Sequence, residues 1–269
     1  MANTLFTETL AKYLAGFIDA DGSLSLFAIK QNDGTFYPAL TFKICQASSI
    51  DHNFRLLTSL FNKVKLGRIY IRQNQPGNKA DICEWVIRPT NELEMFIPRI
   101  AKYLVIKGKH FSRTLEWYRS IKGTRYSQQE LKWLRLNLQQ SRVDTGPLKP
   151  KNYPSSAWLA GYMDGDGCIY IGKRQSLFTI SFHKNDMQAP ILIQKAFGGH
   201  IYAGLWKTNP SVMQYRLTLG GRETLNASGL KLLRYVIPHL QIKKYKVEQL
   251  LARHQQRLNE EAPTGEATV

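Results

Sequence analysis

The chain contains Leu14-Ala15-Gly16-Phe17-Ile18-Asp19-Ala20-Asp21-Gly22 and, further along, a related stretch, Leu159-Ala160-Gly161-Tyr162-Met163-Asp164-Gly165-Asp166-Gly167. Both stretches are runs of apolar and small residues that end in Asp, a small residue, Asp and Gly. Strand-like residues follow each stretch at once, Ser23–Ile29 after the first and Cys168–Ile171 after the second. A pattern that recurs with the same flanks indicates an internal duplication, so we predict two repeats of similar size.

Each stretch is predicted to be a helix that ends at its glycine, because Gly22 and Gly167 could adopt the left-handed conformation that commonly closes a helix. Small residues also recur one helical turn apart on one face of each helix. They are Gly16 and Ala20 in the first helix, and Gly161 and Gly165 in the second. Since small side chains let two backbones come close, we expect each helix to pack tightly against another helix.

The acidic residues at the two helix ends are electrostatically unusual. The last turn of a helix carries partial negative charge, which disfavours Asp21 and Asp166 by roughly 0.3–1 kcal/mol, so a positive group is expected nearby. Two carboxylates and neighbouring backbone carbonyls, those of Ala20 and Gly165, form an oxygen-only ligand set. Such a set suits Mg²⁺, or Ca²⁺ or Mn²⁺, better than zinc. A single Asp-Gly helix end could be ordinary turn chemistry, but two copies favour a metal site.

The net charge of the chain limits its partners. The formal charge is +17, an excess that favours a polyanion such as a nucleic acid. A membrane surface is the rival partner, but no basic amphipathic helix with a bulky apolar face is evident. The three cysteines, Cys45, Cys83 and Cys168, lack the spacing of a disulfide framework or a zinc site. With no long apolar run and no signal peptide, we expect an intracellular protein, in an organelle or a prokaryotic cytoplasm.

Secondary-structure patterns repeat in the two halves in the order α-β-β-α-β-β-α-α. In the first half we predict helices over residues 7–21, 50–63, 90–101 and 108–120, and strands over 23–31, 37–46, 68–73 and 82–88. In the second half we predict helices over residues 155–166, 188–197, 222–236 and 240–257, and strands over 168–174, 177–183, 200–206 and 212–219. The predicted fold class is α+β, with two αββαββα-type repeats. Each repeat is a four-stranded antiparallel sheet that helices cover on one face.

The sequence divides into a first repeat (residues 1–140), a linker (141–154), a second repeat (155–258) and a tail (259–269). Ser127 and Glu130 indicate a capping box for a helix over residues 127–138 that only the first half contains. Gly146 and several prolines are typical of a linker. The tail is rich in Glu, Ala, Thr, Pro and Gly, and we predict that it is disordered.

Alternation along the strands predicts which residues lie on the uncovered sheet faces. In Gly67-Arg68-Ile69-Tyr70-Ile71-Arg72, the apolar Ile69 and Ile71 alternate with basic and aromatic residues, so one face is core and the other can bind a ligand. The second half repeats this pattern in Gly199-His200-Ile201-Tyr202. The candidate DNA contacts are Ser25, Gln31, Lys43, Arg68, Tyr70 and Arg72 in the first half, and Tyr170, Arg174, Thr179, Ser181, His183, His200, Tyr202, Gln214, Arg216 and Thr218 in the second.

These faces could also be ordinary solvated sheet surfaces, but the positive charge favours DNA. A two-stranded ribbon fits the major groove, which is about 12 Å wide, and there Arg reads guanine while Gln or Asn reads adenine. In the first strand the outward positions include Phe27 and Ile29 and are less polar than expected. Either they contact thymine methyl groups or the alternation of this strand is reversed.

The two motif stretches, LAGFIDADG and LAGYMDGDG in one-letter code, resemble the signature of the LAGLIDADG homing endonucleases. The first matches the family name at eight of nine positions and the second at six. The resemblance covers residues 8–257 and implies the single-chain form with two repeats. In that form the two motif helices pack against each other on a pseudo-two-fold axis.

The resemblance also implies further residues near the metals. Family members carry a polar residue, often Gln, at the end of the second strand of each repeat, and a Lys at the start of the last helix. In the first repeat these residues match Gln46 and Lys107, and in the second they match Lys184 and Lys243. A Lys cannot accept a hydrogen bond from water, so Lys184 would make the two half-sites organise solvent differently.

Charge and resemblance together predict a divalent-metal-dependent endodeoxyribonuclease that acts as a monomer on a long, partly asymmetric site in double-stranded DNA. Metal ions held by Asp21 and Asp166 would activate water and hydrolyse one phosphodiester in each strand across the minor groove, leaving 3′ overhangs. Two alternatives remain open. One is a maturase that binds its own intron RNA, and the other is a DNA-binding protein that has lost cleavage. Retention of both aspartates argues against the second, because a protein that only binds DNA does not need them.

The other polar residues near the motifs have different expected roles. Lys107 and Lys243 would stabilise developing charge or order waters, and Gln46 would orient solvent. Asp19 and Asp164 point to another side of their helices, so we expect them to serve structure or capping rather than metal binding.

Overall fold

The computed structural model describes residues 7–47, 51–73, 81–88, 90–141, 154–171, 176–183, 187–206, 209–219 and 227–261. The chain divides into two compact units, residues 1–165 and residues 166–269. Each unit contains one four-stranded sheet. Within the described ranges, none of the helices is both long enough and apolar enough to cross a bilayer.

The first unit begins with the first motif helix and ends with most of the second. Its helices are α1 (Glu8–Asp21), α2 (Asp51–Val64), α3 (Thr90–Ala101), α4 (Gly108–Ile121), α5 (Gln128–Ser141) and α6 (Ser156–Asp166), the last residue of which belongs to the second unit. Its strands are β1 (Gly22–Lys30), β2 (Phe36–Ala47), β3 (Arg68–Arg72) and β4 (Ile82–Ile87). They form an antiparallel sheet in the order β1-β2-β4-β3.

The second unit repeats this topology. Its strands are β5 (Gly167–Ile171), β6 (Ser176–His183), β7 (His200–Trp206) and β8 (Asn209–Leu219), and its helices are α7 (Gln188–Phe197), α8 (Ala227–Val236) and α9 (Lys244–Glu261). The strands pair antiparallel in the order β5-β6-β8-β7. The duplicated strand order confirms the predicted fold class.

The core of the first unit lies between one face of its sheet and the covering helices. Along β2 the side chains of Leu40, Phe42 and Ile44 are buried, and the residues between them are partly exposed. Phe42 contacts the ring of Phe96 on α3 at a centroid distance of 4.9 Å and the ring of Phe111 on α4 at 6.3 Å. Burial of such rings contributes about 25 cal/mol to stability per Å² of apolar surface. The helices therefore cover the face of the sheet that carries the apolar residues of the alternating pattern.

The prediction that a left-handed Gly22 closes α1 is wrong. Gly22 has φ −76° and ψ 144°, which is extended backbone, and it is the first residue of β1. Lack of space requires the glycine instead, because a Cβ there would lie 2.6 Å from Cγ2 of Ile18. Gly167 likewise begins β5 and is not among the described glycines with positive φ. Each motif helix therefore passes directly into a strand.

Two predictions at the ends of the repeats have different outcomes. The capping box of α5 is confirmed, since Ser127 N donates to Glu130 Oε2 at 2.7 Å and Glu130 N donates to Ser127 Oγ at 3.3 Å. The predicted start of the disordered tail is wrong, because α9 continues through residues 259–261. Residues 142–153 of the predicted linker and residues 262–269 of the tail lie outside the described residues.

Candidate active site and nucleic-acid interface

The two motif helices, α1 and the part of α6 in the first unit, touch through their backbones. A Cβ on Gly16 would collide with the carbonyl oxygen of Trp158, and a Cβ on Gly161 would collide with the carbonyl oxygen of Tyr13. The contact is therefore reciprocal, with each glycine facing the residue that precedes the other motif. The predicted close packing of the small-residue faces is confirmed.

Two buried hydrogen bonds tie the same helices together. Trp158 Nε1 donates to Asp19 Oδ2 at 2.9 Å, and Tyr13 Oη donates to Asp164 Oδ2 at 2.7 Å. The two pairs are equivalent, because Tyr13 and Trp158 each precede a motif and Asp19 and Asp164 occupy the same motif position. Burial and the neighbouring Asp164 carboxylate raise the pKa of Tyr13 well above its ordinary value. Both aspartates thus have the structural role expected of them.

Asp19 and Lys107 join the end of α1 to the start of α4. The Asp19 carboxylate accepts hydrogen bonds from the backbone N–H groups of Val105 at 2.7 Å, Ile106 at 3.2 Å and Lys107 at 2.8 Å. Burial raises the pKa of Asp19 to about 6, against the opposing effect of these donors and of the Lys107 charge. The carboxylate accepts from the N–H groups of the three residues directly before α4 and so fixes the position at which this helix begins.

The Lys107 ammonium lies at the C-terminal end of α1. Its Nζ donates to the carbonyl oxygens of Ile18 at 2.9 Å, Ala20 at 3.2 Å and Gly22 at 2.9 Å. These contacts place a positive charge at the negative end of the helix dipole. They supply the positive group whose presence the acidic helix end predicts.

The Asp21 carboxylate, the last side chain of α1, is half-buried. Gln46 Nε2 on β2 donates to Asp21 Oδ2 at 2.5 Å, and a Cβ on Gly165 would lie 2.8 Å from the same oxygen. Only glycine at position 165 leaves this oxygen room beside the α6 backbone. Asp21 and the candidate carbonyl donors of Ala20 and Gly165 are all oxygen ligands, which fits a hard divalent cation.

Few side chains are available to a metal in this region. Among the described residues, no group of three or more His, Cys, Asp and Glu side chains assembles. A cation beside Asp21 would therefore have at most one further ligand of these side-chain types among the described residues and would take the rest from backbone carbonyls and water. Mg²⁺ commonly retains several waters. The donor set fits such an ion.

The second repeat presents Asp166 and Lys243 in equivalent local settings. Asp166 is the half-buried last residue of α6, directly before β5. The carbonyl of Lys243 accepts the Val247 N–H at 3.1 Å, as the carbonyl of Lys107 accepts the Phe111 N–H at 2.9 Å. Each lysine therefore lies at the start of the last helix of its repeat core, as the motif alignment predicts.

The prediction that Lys184 corresponds to Gln46 is wrong by strand register. Gly22 pairs with Ile44 in the first sheet and Gly167 pairs with Ile180 in the second. Gln46 follows Ile44 by two residues, so its positional equivalent is Phe182. Both strands continue three residues past this pairing, so Gln46 is the penultimate residue of β2, whereas Lys184 follows the last residue of β6. Lys184 itself lies outside the described residues.

The open face of the first sheet carries most of its predicted DNA contacts. Lys43 and Arg68 both lie opposite Val86, so they share one row across the sheet. Tyr70 is 37% exposed, and Arg72 is exposed at the end of β3. Ser25 belongs to the same face, since Leu24 and Leu26 on either side of it are buried. The alternation of β1 is therefore not reversed, and Phe27 and Ile29 do face outward.

Two assignments on this sheet need correction. Ile71 was predicted to face the core, but it is 58% exposed because it lies near the end of the edge strand β3. Gln31 lies beyond the end of β1, where its N–H donates to the Thr35 carbonyl at 2.8 Å in the turn to β2. Gln31 is thus a turn residue rather than part of the sheet surface.

The second sheet shows the same rows of positions. Thr218 lies opposite both His200 and Thr179, Arg216 opposite Tyr202 and Ser181, and Gln214 opposite Gly204 and His183. Tyr170, His200, Tyr202 and Arg216 are exposed, whereas Gln214 and Thr218 are partly exposed. Arg174 lies outside the described residues.

The central strand β4 adds residues that the sequence interpretation missed. Glu84 lies opposite Cys45 and Tyr70, and its carboxylate forms ion pairs with Lys43 and Arg72. The Arg88 guanidinium lies 5.6 Å from the Tyr70 ring centroid, within range of a cation–π contact. Alternation in Ile82-Cys83-Glu84-Trp85-Val86-Ile87 could have placed Glu84 on the open face, since Cys83 and Trp85 are apolar.

Residues 14–118 match the LAGLIDADG endonuclease family, and the reciprocal contact of two such motif helices is present in the structure. The first repeat of the chain therefore matches the LAGLIDADG endonuclease family. No curated protein matches this chain in sequence.

Solved structures of LAGLIDADG endonucleases share the fold of this chain across most of its length. The homing endonuclease I-GzeII in complex with its DNA target is 18% identical, with 95% of this chain and 93% of that chain covered and a TM-score of 0.65. The meganuclease I-CpaMI bound to uncleaved DNA is 16% identical, with 93% and 92% covered and a TM-score of 0.65. I-SmaMI bound to an uncleaved DNA target with calcium ions is 17% identical, with 93% and 92% covered and a TM-score of 0.60.

Proposed function

We propose that this protein is a LAGLIDADG-type, site-specific endonuclease that acts as a monomer and hydrolyses one phosphodiester in each strand of double-stranded DNA. The observation that carries the proposal is the Asp21 carboxylate, which Gln46 holds at the end of a motif helix and against the Gly165 backbone. The net charge of +17 supports a polyanionic partner. The similar proteins I-GzeII and I-CpaMI are DNA-bound in their structures.

Divalent cations, Mg²⁺ in this proposal, would be held by Asp21 and Asp166 and by the carbonyl oxygens of Ala20 and Gly165. When bound, such an ion supplies a water of lowered pKa and neutralises charge on the phosphate. The oxygen-only donor set supports this choice, as do the calcium ions in the I-SmaMI complex.

The surrounding residues would hold and orient the carboxylates. Gln46 fixes Asp21 Oδ2 with its amide N–H, which leaves the carboxylate a preferred orientation. Lys107 holds the carbonyls at the end of α1 and adds positive charge where a phosphate would develop negative charge. Lys243 would have the same task in the second repeat.

The open sheet faces would read the target in the major groove. Arg68, Tyr70 and Arg72 of the first sheet and His200, Tyr202 and Arg216 of the second are exposed candidates for base and phosphate contacts. Cleavage across the minor groove between the two half-sites would leave short 3′ overhangs. Because the two faces carry different residues, the target would be long and partly asymmetric.

The test is to incubate the protein with randomised duplex DNA, with Mg²⁺ or with EDTA, and to sequence the new ends. We expect double-strand cuts at a small set of related sequences, with 3′ overhangs, that disappear with EDTA and in Asp21→Asn. Asp51→Asn is the matched control, because Asp51 is an exposed residue paired with Arg55 on α2, and it should cut normally. Sequence-selective binding without any cleavage in Mg²⁺ would refute the proposed nuclease activity.

A further inference from the structure

Glu84 is an acidic residue near the middle of a face that would bind DNA. It lies on the central strand β4, and only 5% of its surface is exposed. Its Oε1 contacts the Lys43 ammonium and accepts from Arg72 Nη2 at 2.6 Å, and its Oε2 accepts from Arg72 Nε at 3.1 Å. Both carboxylate oxygens are therefore engaged by cations that belong to the open face.

The geometry leaves Arg72 able to bind a second partner. The side chain of Arg72 is 62% exposed, whereas that of Glu84 is 7% exposed. An arginine has five N–H donors, and Glu84 uses one on Nε and one on Nη2. The two N–H groups of Nη1 and the second of Nη2 remain, which is enough for a bidentate contact to guanine O6 and N7.

We propose that Glu84 is a specificity-determining positioning residue, which holds Arg72 and Lys43 on the first sheet so that Arg72 presents its outer guanidinium edge to a guanine of the target. The proposal rests on the proposed function, since it assigns a role within DNA recognition. It concerns the choice of sequence and not the hydrolysis itself.

The energetics of the cluster favour positioning over direct base contact by Glu84. Burial alone would raise the pKa of Glu84, but hydrogen bonds and charge from Lys43 and Arg72 outweigh it and hold the pKa below its ordinary value. The carboxylate is therefore ionised at neutral pH and remains bound to both cations. A free arginine side chain samples many rotamers, and fixing it before DNA arrives lowers the entropy cost of a base contact.

The second sheet contains a natural contrast at this position. Arg216 lies opposite Tyr202 as Glu84 lies opposite Tyr70. Arg216 is exposed, so it can contact DNA itself. The central acid is therefore a feature of the first sheet and not a requirement of the fold.

The experiment selects cleaved targets from a randomised library with the full chain and with Glu84→Gln, Arg72→Gln and Glu94→Gln. Glu94 is the matched control, because it also binds two cations, Arg119 on α4 and Lys122 directly after α4, but lies on helix α3. We expect Glu84→Gln to lower the preference for the selected base pair over the others by about tenfold, which is the contribution of one bidentate base contact. The loss should occur at the same base pairs at which Arg72→Gln loses its preference. Affinity for non-specific DNA should stay or rise, since the protein loses a negative charge.

Three results would overturn the proposal. They are an unchanged preference in Glu84→Gln, a loss at base pairs that Arg72→Gln leaves intact, and a uniform loss at all positions. If Glu84→Gln does not fold, Glu84→Asp retains the charge but withdraws the carboxylate by one methylene. Glu84→Asp should weaken the sequence preference at the same base pairs. A variant that retains the preference would contradict the positioning role of Glu84. If the unaltered protein selects no sequence at all, the proposed function fails instead, whatever the variants do.

Discussion

The two sheets have the same strand order and the same pairing register, yet their open faces differ in chemistry. The equivalent positions in the two sheets are Lys43 and Thr179, Cys45 and Ser181, Glu84 and Arg216, Arg68 and His200, and Tyr70 and Tyr202. The first sheet has a buried acid between two cations, and the second has an exposed arginine at that place. The two repeats thus share their backbone pairing, whereas the residues at these positions of the open faces differ.

A second difference lies beside the motif aspartates. Gln46 donates to Asp21 in the first repeat, whereas the register places Phe182 at the corresponding position of the second. A phenyl ring has no hydrogen-bond donor, so the residue at position 182 cannot donate to Asp166 as Gln46 donates to Asp21. The difference teaches that a doubled motif need not produce two equivalent half-sites.

The largest expected effect comes from removing either motif carboxylate. We expect Asp21→Asn and Asp166→Asn each to slow double-strand cleavage by on the order of 10²–10³-fold, as loss of one charge-stabilising group does, while DNA binding persists. The measurement is single-turnover cleavage of a selected target in Mg²⁺. If only one of the two variants is impaired, the repeats are not equivalent in metal binding.

The backbone contact of the motif helices gives the next largest effect. Gly16→Ala and Gly161→Ala should each lower the free energy of unfolding by about 3 kcal/mol, because a Cβ at either site meets a backbone carbonyl that cannot move aside easily. Urea denaturation measures the change. Gly204→Ala is the control, since a Cβ there meets nothing within 4 Å, and an equal loss in all three variants would contradict the close approach.

Replacing Gln46 would sharpen the contrast between the half-sites. Gln46→Leu should slow cleavage of one strand by about tenfold, the scale of a lost orienting contact beside a metal, and leave the other strand nearly unaffected. Nicked DNA would then accumulate, which a supercoiled-plasmid assay separates from linear product. Equal slowing of both strands would show that Gln46 does not act on a single half-site.

The smallest effect concerns α5, a helix that was predicted for the first half alone. Ser127→Ala removes one partner of the capping box and should cost about 1 kcal/mol of stability. Ser120→Ala serves as control, because Ser120 Oγ only bonds the Trp117 carbonyl on the exposed side of α4. Thermal unfolding should give Ser127→Ala a lower melting temperature than Ser120→Ala. Equal melting temperatures would contradict the stabilising role of the capping box.

Local pattern accounts for what the sequence could predict. Alternation and helical periodicity depend on neighbours along the chain. The sequence therefore predicts the order of helices and strands, the extent of α7 and the capping box of α5 correctly. The interactions that were missed join distant residues. Tyr13 and Asp164 are 151 positions apart, and no periodicity relates Glu84 to Lys43 and Arg72. The conformation of Gly22 was missed because Ile18, not backbone strain, requires a glycine there.

The reciprocal pairs Asp19–Trp158 and Asp164–Tyr13 bear on how such proteins can be recombined. Each pair takes its donor from one motif helix and its acceptor from the other. A chimera that joins residues 1–155 of this chain to the second half of a relative would preserve these bonds only if the incoming helix supplies a donor at position 158 and an acceptor at position 164. The compatibility of two halves therefore depends on the residues at positions 13, 19, 158 and 164, and these can be compared in the two sequences before a hybrid protein is made.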